Sequence, residues 1–353
     1  MTSTPESEGP SLPVTRTCAT DRVHERLLRE VPGYAERRAR CENEAWQAQR
    51  SGGTVQRTGC TTIPVVVHVV HHSDAEDISE EQIASQIETL NADFRNLNAD
   101  GGTVPEPFAL LRADARITFE LAGTDPDGAA TSGITRTRTS VNGFGADDAV
   151  KSSATGGADP WPSGQYLNLW VCRLAGGLLG YAQFPGGPDE TDGVVITHTA
   201  CGSTGTASAP FDLGRTATHE VGHWLNLRHI WGDDGSGCHG SDFVEDTPNQ
   251  GGPNAGKPSF PTLSCDNAPD GDLFMNYMDY VDDDTMTMFT HGQVTRMQTA
   301  LAGVRSSIGT TGPCDSDGPV VSDQPLESDE SVVSDQPVVS DQPDLPVAAP
   351  DAP

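Results

Sequence analysis

Residues 218–229 read Thr218-His219-Glu220-Val221-Gly222-His223-Trp224-Leu225-Asn226-Leu227-Arg228-His229, and this stretch decides how the chain is read. Two histidines four residues apart on a helix share one face, so both imidazoles reach a single ion. Glu220 follows the first of them, where its carboxylate can take a proton from a water polarised by that ion. His229 lies six residues past His223, too far along a straight helix to meet the same metal. The helix is therefore expected to end near Asn226 and double back. Asparagine is the non-glycine residue that best tolerates the left-handed backbone of such a stop. Three nitrogen ligands and one open position describe a catalytic zinc rather than a structural one. Two rival readings are a zinc-bearing module that only binds and a metallohydrolase acting on a non-peptide amide. Glu220 discriminates against the first, because a binding module has no need of a base there.

Read onward through Ile230-Trp231-Gly232-Asp233, the motif resembles the pappalysin family of metzincin metallopeptidases. Metzincins usually carry glycine where this chain has Asn226, and asparagine can adopt the same conformation. The resemblance covers about residues 16–308 and implies an α+β fold: a twisted mixed sheet, an active-site helix and an irregular C-terminal subdomain. It also implies a methionine turn beneath the zinc. Residues 274–280, Phe-Met-Asn-Tyr-Met-Asp-Tyr, match that turn, with Met278 as its methionine. Tyr280 matches the tyrosine that steadies the transition-state oxyanion in related sites. The implied activity is hydrolysis of internal bonds in protein or peptide substrates.

The same resemblance assigns secondary sites. Cys18, in Arg16-Thr-Cys-Ala-Thr20, is similar to the propeptide cysteine through which pappalysin zymogens close the zinc, although the family has glycine at the position of Ala19. A thiolate is an excellent zinc ligand; a disulfide from Cys18 to Cys41 is the alternative. Cys238 and Cys265 match a pair that is disulfide-bonded in similar members. Cys41, Cys60, Cys172, Cys201 and Cys314 stay unpaired by sequence. Calcium is implied in the same loop region, where Asp242, Asp246 and Thr247 offer hard oxygen ligands, with a solvated acidic loop as the alternative. Asp284, in Val281-Asp-Asp-Asp-Thr285, matches the aspartate of family members that prefer Arg after the scissile bond. A carboxylate on a pocket floor selects a guanidinium by charge and paired hydrogen bonds. Thr285 stands where a disulfide cysteine is common, which loosens the pocket wall; Lys would follow Arg in preference.

Outward from the motif, residues 63–70 (Ile-Pro-Val-Val-Val-His-Val-Val) form an apolar run typical of a buried strand. Ser79-Glu-Glu-Gln82 reads as a capping box, with Ile78 and Ile83 as a hydrophobic staple. Ile83, Ile87, Leu90, Phe94 and Leu97 follow at helical spacing. Residues 117–121, 166–172 and 193–199 read as further strands, the last expected at the sheet edge where substrate pairs by strand addition. Thr290-His-Gly-Gln293 opens a second capped helix carrying Val294, Met297, Leu301 and Val304.

Three segments result. Residues 1–57 form a propeptide-like segment with a helical run through Val23, Leu27, Leu28 and Val31. It ends in a loose stretch, residues 50–57, open to a processing cut. Residues 58–312 form the catalytic domain. Residues 313–353 repeat Val-Val-Ser-Asp-Gln-Pro at 320, 332 and 338 and are expected to be a disordered acidic tail. The formal net charge of −30 argues against a nucleic-acid or anionic-membrane partner. No run approaches the ~18 apolar residues of a membrane span. Eight cysteines favour export to an oxidising compartment, although residues 1–13 show no basic or apolar signal region.

Overall fold

The computed structural model describes residues 15–51, 57 and 59–314. Apart from Pro313 and Cys314, the expected tail lies outside these residues, as do residues 52–56 and 58 around the expected processing cut. In chain order the elements are α1 (Thr20–Glu30), α2 (Tyr34–Ser51), β1 (Cys60–His71), α3 (Glu80–Phe94), α4 (Glu106–Ala109), β2 (Ile117–Leu121) and β3 (Ile134–Arg138). Then come β4 (Leu167–Cys172), β5 (Gly180–Ala182), β6 (Val194–Thr197), α5 (Arg215–Trp224), β7 (Ala255–Gly256), β8 (Tyr280–Val281), α6 (His291–Ala302) and β9 (Thr310–Gly312).

The long strand β1 is the spine of a seven-stranded mixed sheet with the path β2-β1-β4-β6-β5. One edge of β1 pairs in parallel with β2 and then β3, while the other takes antiparallel β9 and then parallel β4. β1 is buried from both sides. Val65, Val67 and Val69 share a core with Ile83, Leu90 and Phe94 of α3 and with Val221 and Trp224 of α5. Val70 joins a second cluster with Trp170, Tyr181 and Val195, to which α1 adds Val23 and Leu27 and α2 adds Tyr34. Burial on both faces explains why the run looks continuous rather than alternating. Each fully buried Val or Leu contributes about 1.5–3 kcal/mol, so Val23 and Leu27 help to seat α1 on the sheet.

Several expectations need correction. The strand at 193–199 is β6, and it is internal; the edge is β5, antiparallel to it. Three residues opening on Gly180 are too short to show strand periodicity. α3 stops at Phe94, and Leu97 beyond it is 52% exposed. Ser79 caps α3, but the Gln82 amide reaches the carbonyls of His198 and Cys201 instead of closing a capping box. The box at Thr290 and Gln293 is complete, and Val304 lies past the end of α6, exposed. Leu28 faces solvent beside buried Leu27. α2 was not anticipated. It buries Arg38 along with Tyr34, Cys41 and Ala45, and so has no apolar stripe to read.

Cys238 and Cys265 form the implied disulfide, and Cys60 pairs with Cys314. Cys18, Cys41, Cys172 and Cys201 are free thiols, so the Cys18–Cys41 alternative is not what forms.

Candidate active site

Helix α5 is buried on every side, and its end shapes the site. The Leu227 N–H reaches back to the Gly222 carbonyl (2.9 Å) across Asn226, whose φ is +80°. This is the left-handed stop anticipated at that residue. The reversal returns His229 to the helix face. The His223 Nε2 lies 3.1 Å from Nε2 of both His219 and His229.

The other nitrogen of each ring is already committed. The Nδ1–H groups of His219, His223 and His229 donate to the Tyr277 carbonyl (2.7 Å), the Leu227 carbonyl (2.8 Å) and Asp233 Oδ1 (2.6 Å). In their neutral tautomers the three rings would therefore turn three Nε2 lone pairs on one another, which cannot satisfy them. Burial holds His219 well below the ordinary histidine range and His223 at about 3, whereas at His229 Tyr280 and the Asp233 and Asp21 carboxylates outweigh burial and favour the charged ring, so the cage holds positive charge on that side. Nitrogens about 2.0–2.1 Å from one tetrahedral zinc stand roughly 3.3 Å apart, so the cluster fits that ion. Asp233 orients the third histidine as outer carboxylates do around metal sites. It was not singled out from sequence, although it lies within the quoted motif.

Two close approaches fix the floor and the rim. A Cβ on Gly222 would meet the Met278 sulfur at 2.6 Å, so the missing side chain lets the buried methionine rise under the histidines. A Cβ on Gly180 would meet the Glu220 side chain at 2.9 Å, so Glu220 lies against the sheet edge. Burial pushes the Glu220 carboxyl up to about 7, against hydrogen bonds from Cys18 and Thr20 that favour its charged form. The Tyr280 ring packs 5.0 Å from the His229 ring and 4.7 Å from Trp231.

The N-terminal segment threads through this site. It runs parallel to β5, with the Leu179 N–H on the Thr17 carbonyl (3.0 Å) and the Ala19 N–H on the Gly180 carbonyl (3.1 Å). Cys18 Sγ and the three histidine nitrogens lie within 4.8 Å of one another. Burial, then Glu220, pushes the thiol up to about 12, and it donates to Glu220 Oε2 (3.4 Å). A cation in the cage would reverse that balance, because a coordinating thiol loses its proton. Thr20 Oγ1 donates to the same carboxylate oxygen (3.0 Å), and an Asp21 oxygen lies 3.2 Å from His229 Nδ1.

Arg16 enters a buried pocket. Its guanidinium meets Asp283 Oδ1 (2.5 Å) and Thr216 Oγ1 (2.9 Å) over the Phe211 ring. The carboxylate on that floor is Asp283, fully buried, and not Asp284. Asp284 is half-exposed and ion-paired with Lys257. Within Asp282-Asp-Asp284 three identical side chains offer no register by which a sequence could tell which one turns inward.

Of the calcium candidates, Asp242 and Thr247 lie in contact, while Asp246 turns to the start of α6. Asp242 accepts from the Val244 N–H (3.1 Å) and the Thr247 hydroxyl (2.8 Å). Asp246 caps α6 through the Thr290 hydroxyl (2.7 Å) and the Gly292 N–H (2.8 Å). These carboxylates hold loops and a helix start.

The profile of the peptidase family described as pregnancy-associated plasma protein-A matches residues 151–302. An extracellular metalloprotease of Pyricularia oryzae is 34% identical over 272 residues, covering 74% of this chain and 82% of the relative. The chain belongs to this family, the pappalysins. Among solved structures, a Tannerella forsythia promirolysin variant is 48% identical with a TM-score of 0.77, covering 83% of this chain and 97% of that one. Mature mirolysin in complex with a cleaved peptide is 52% identical with a TM-score of 0.71, covering 72% of this chain and 97% of that one. This pappalysin has the mixed-sheet α+β fold of mirolysin and is a metalloendopeptidase.

Proposed function

We propose that the protein is a zinc endopeptidase, made latent, that cuts on the N-terminal side of Arg and, less well, of Lys. The supporting observation is the convergence of the Nε2 atoms of His219, His223 and His229 in one buried cage. Bound zinc supplies Lewis acidity there, lowering the pKa of a water to about 7 and polarising the scissile carbonyl. Glu220 takes the proton of the attacking water and delivers it to the leaving amine. Tyr280 steadies the oxyanion, Asp233 holds His229, and Met278 supports the cage from below.

Substrate polarity follows from the pocket. Arg16 precedes Cys18 in the chain, whereas a substrate Arg follows the bond being cut. To fill the same Asp283 pocket, a substrate must run opposite to the N-terminal segment, antiparallel to β5. Edge-strand addition supplies the backbone pairing.

Latency rests on residues 16–21, which reach the pocket, the cage and Glu220 at once. Residues 1–57 are read as the prosegment and 58–312 as the catalytic domain. The larger share of this chain covered by promirolysin, 83% against 72% for the mature form, supports that division. Arg57 donates to the carbonyls of Ile308 (2.7 Å) and Ser306 (2.9 Å), so the last residue of that prosegment is itself held against the catalytic domain. Export is supported by two disulfides and by relatives named extracellular metalloproteases.

Metal analysis is expected to return zinc, and a chelator is expected to abolish cleavage of a denatured protein until zinc is restored. Cleavage indifferent to chelation would overturn the reading. For latency, uncut Cys18→Ala protein is expected to show activity that uncut wild type lacks. If uncut wild type already matches a chain beginning at Thr58, the segment is not an inhibitor.

A further inference from the structure

Helix α2 lies beyond the residues that enter the cleft, yet it carries a buried charged contact of its own. Arg38 and Glu42, one turn apart, face the bend of the zinc motif. Arg38 Nη1 donates to Asn226 Oδ1 (2.7 Å), the side chain of the left-handed residue. Glu42 receives Arg296 Nη2 on one oxygen (2.7 Å) and Arg38 Nη2 on the other (2.5 Å). The Arg228 Nε lies 3.7 Å from that second oxygen.

Take α2 away, and neither Arg228 nor Arg296 keeps an ion pair among the described residues, Asp242 acting on Arg296 only from beyond ion-pair distance. Arg296 is fully buried and keeps only carbonyl acceptors, Asn226 and Phe243. The buried Arg228 Nε has no hydrogen-bond partner, so Glu42 is its nearest acidic neighbour in the contacts described. The ring of Phe243 lies 4.8 Å from the Arg228 guanidinium and 6.0 Å from that of Arg296. The α2 residue Gln49 also donates to the Phe243 carbonyl (2.8 Å). Buried cations stripped of their counter-ion are costly, whereas a carboxylate restores the balance.

We propose that Arg228 and Arg296 form a carboxylate-binding site on the catalytic domain, and that through Glu42 it retains the prosegment after the chain has been cut. Asn226 completes the site by reading the arginine one helical turn before the acid. The recognised chemistry is a helix presenting Arg and Glu four residues apart. Cutting within residues 52–56 is then insufficient for activation, because the inhibitor stays docked as a separate chain until it dissociates or is digested. This inference rests on the proposed latency.

The test uses the full chain, nicked within residues 52–56 by an added processing peptidase, in wild-type and Glu42→Gln forms. Co-elution of prosegment with catalytic domain is followed by size exclusion and mass spectrometry, and activity is followed in parallel. Losing one partner of a buried charge pair acts mainly on dissociation, so Glu42→Gln is expected to release the prosegment about tenfold faster or more. Activity should appear in step. Raising salt should speed wild-type release more than that of the variant. Equal release rates for the two forms would overturn the anchor while leaving latency standing. Nicked wild type that is fully active with its prosegment still attached would instead overturn the latency itself. An Arg296→Lys variant, which keeps the buried charge, should release at an intermediate rate; wild-type retention there would also count against the site.

Discussion

Glu220→Gln protein is expected to bind zinc and keep its fold while its kcat falls by roughly three orders of magnitude. The glutamine is nearly isosteric, and its carbonyl can still accept from Thr20 in the latent form, where Glu220 does so at 3.0 Å. It cannot take a proton at neutral pH. None of the three histidine nitrogens depends on this side chain, since their Nδ1 partners are Tyr277, Leu227 and Asp233. Native mass spectrometry checks the metal and a quenched peptide checks the rate. Wild-type turnover in the zinc-loaded variant would end the proposed mechanism.

The second large effect concerns Asp283. Replacing it with asparagine keeps an oxygen for the Leu213 and Arg215 N–H groups that it now accepts (2.8 and 3.3 Å) but removes the charge. An uncompensated buried charge costs about 3–5 kcal/mol, or roughly two to four powers of ten in kcat/KM for substrates with Arg after the scissile bond. Bonds preceding neutral residues should be cut at nearly their former rate, which shows that the site is intact. Asp284→Ala is the contrasting variant. Its side chain is half-exposed on Lys257, and its loss should leave the preference in place. A peptide-library digest of both variants decides the matter: undiminished Arg preference in Asp283→Asn, or its loss in Asp284→Ala, would refute the assignment.

The zinc cage was legible because its spacing is geometric: i and i+4 on one helix face, then a residue able to reverse the chain. Asn226 takes the conformation that this reversal demands. β1 and α3 were legible from apolar runs long enough to show their period. What escaped notice was short or polar. β5 has three residues, and α2 buries an arginine in place of leucines. Asp283 was hidden among identical neighbours, because a sequence does not show which of three carboxylates turns inward. Thr20 gave no signal, since its role depends on where the chain folds back across Glu220. For the calcium candidates the sequence leaves two readings open. Acidic, oxygen-rich segments also arise wherever irregular backbone needs acceptors, as Asp242 and Asp246 do here.

The Cys60–Cys314 bond joins the first residue of β1 to a residue just past β9, 254 positions away. The catalytic chain is thereby a covalent ring, and a peptidase works among many copies of itself. A stray nick in any surface loop of a linear chain would yield two pieces free to drift apart. In the ring it yields one chain with a gap, and the matching ends stay within reach of refolding. Closing so long a loop also removes about 5 kcal/mol of freedom from the unfolded chain in the entropic view. The crosslink thus keeps a nicked chain in one piece, and it holds only while the surroundings remain oxidising.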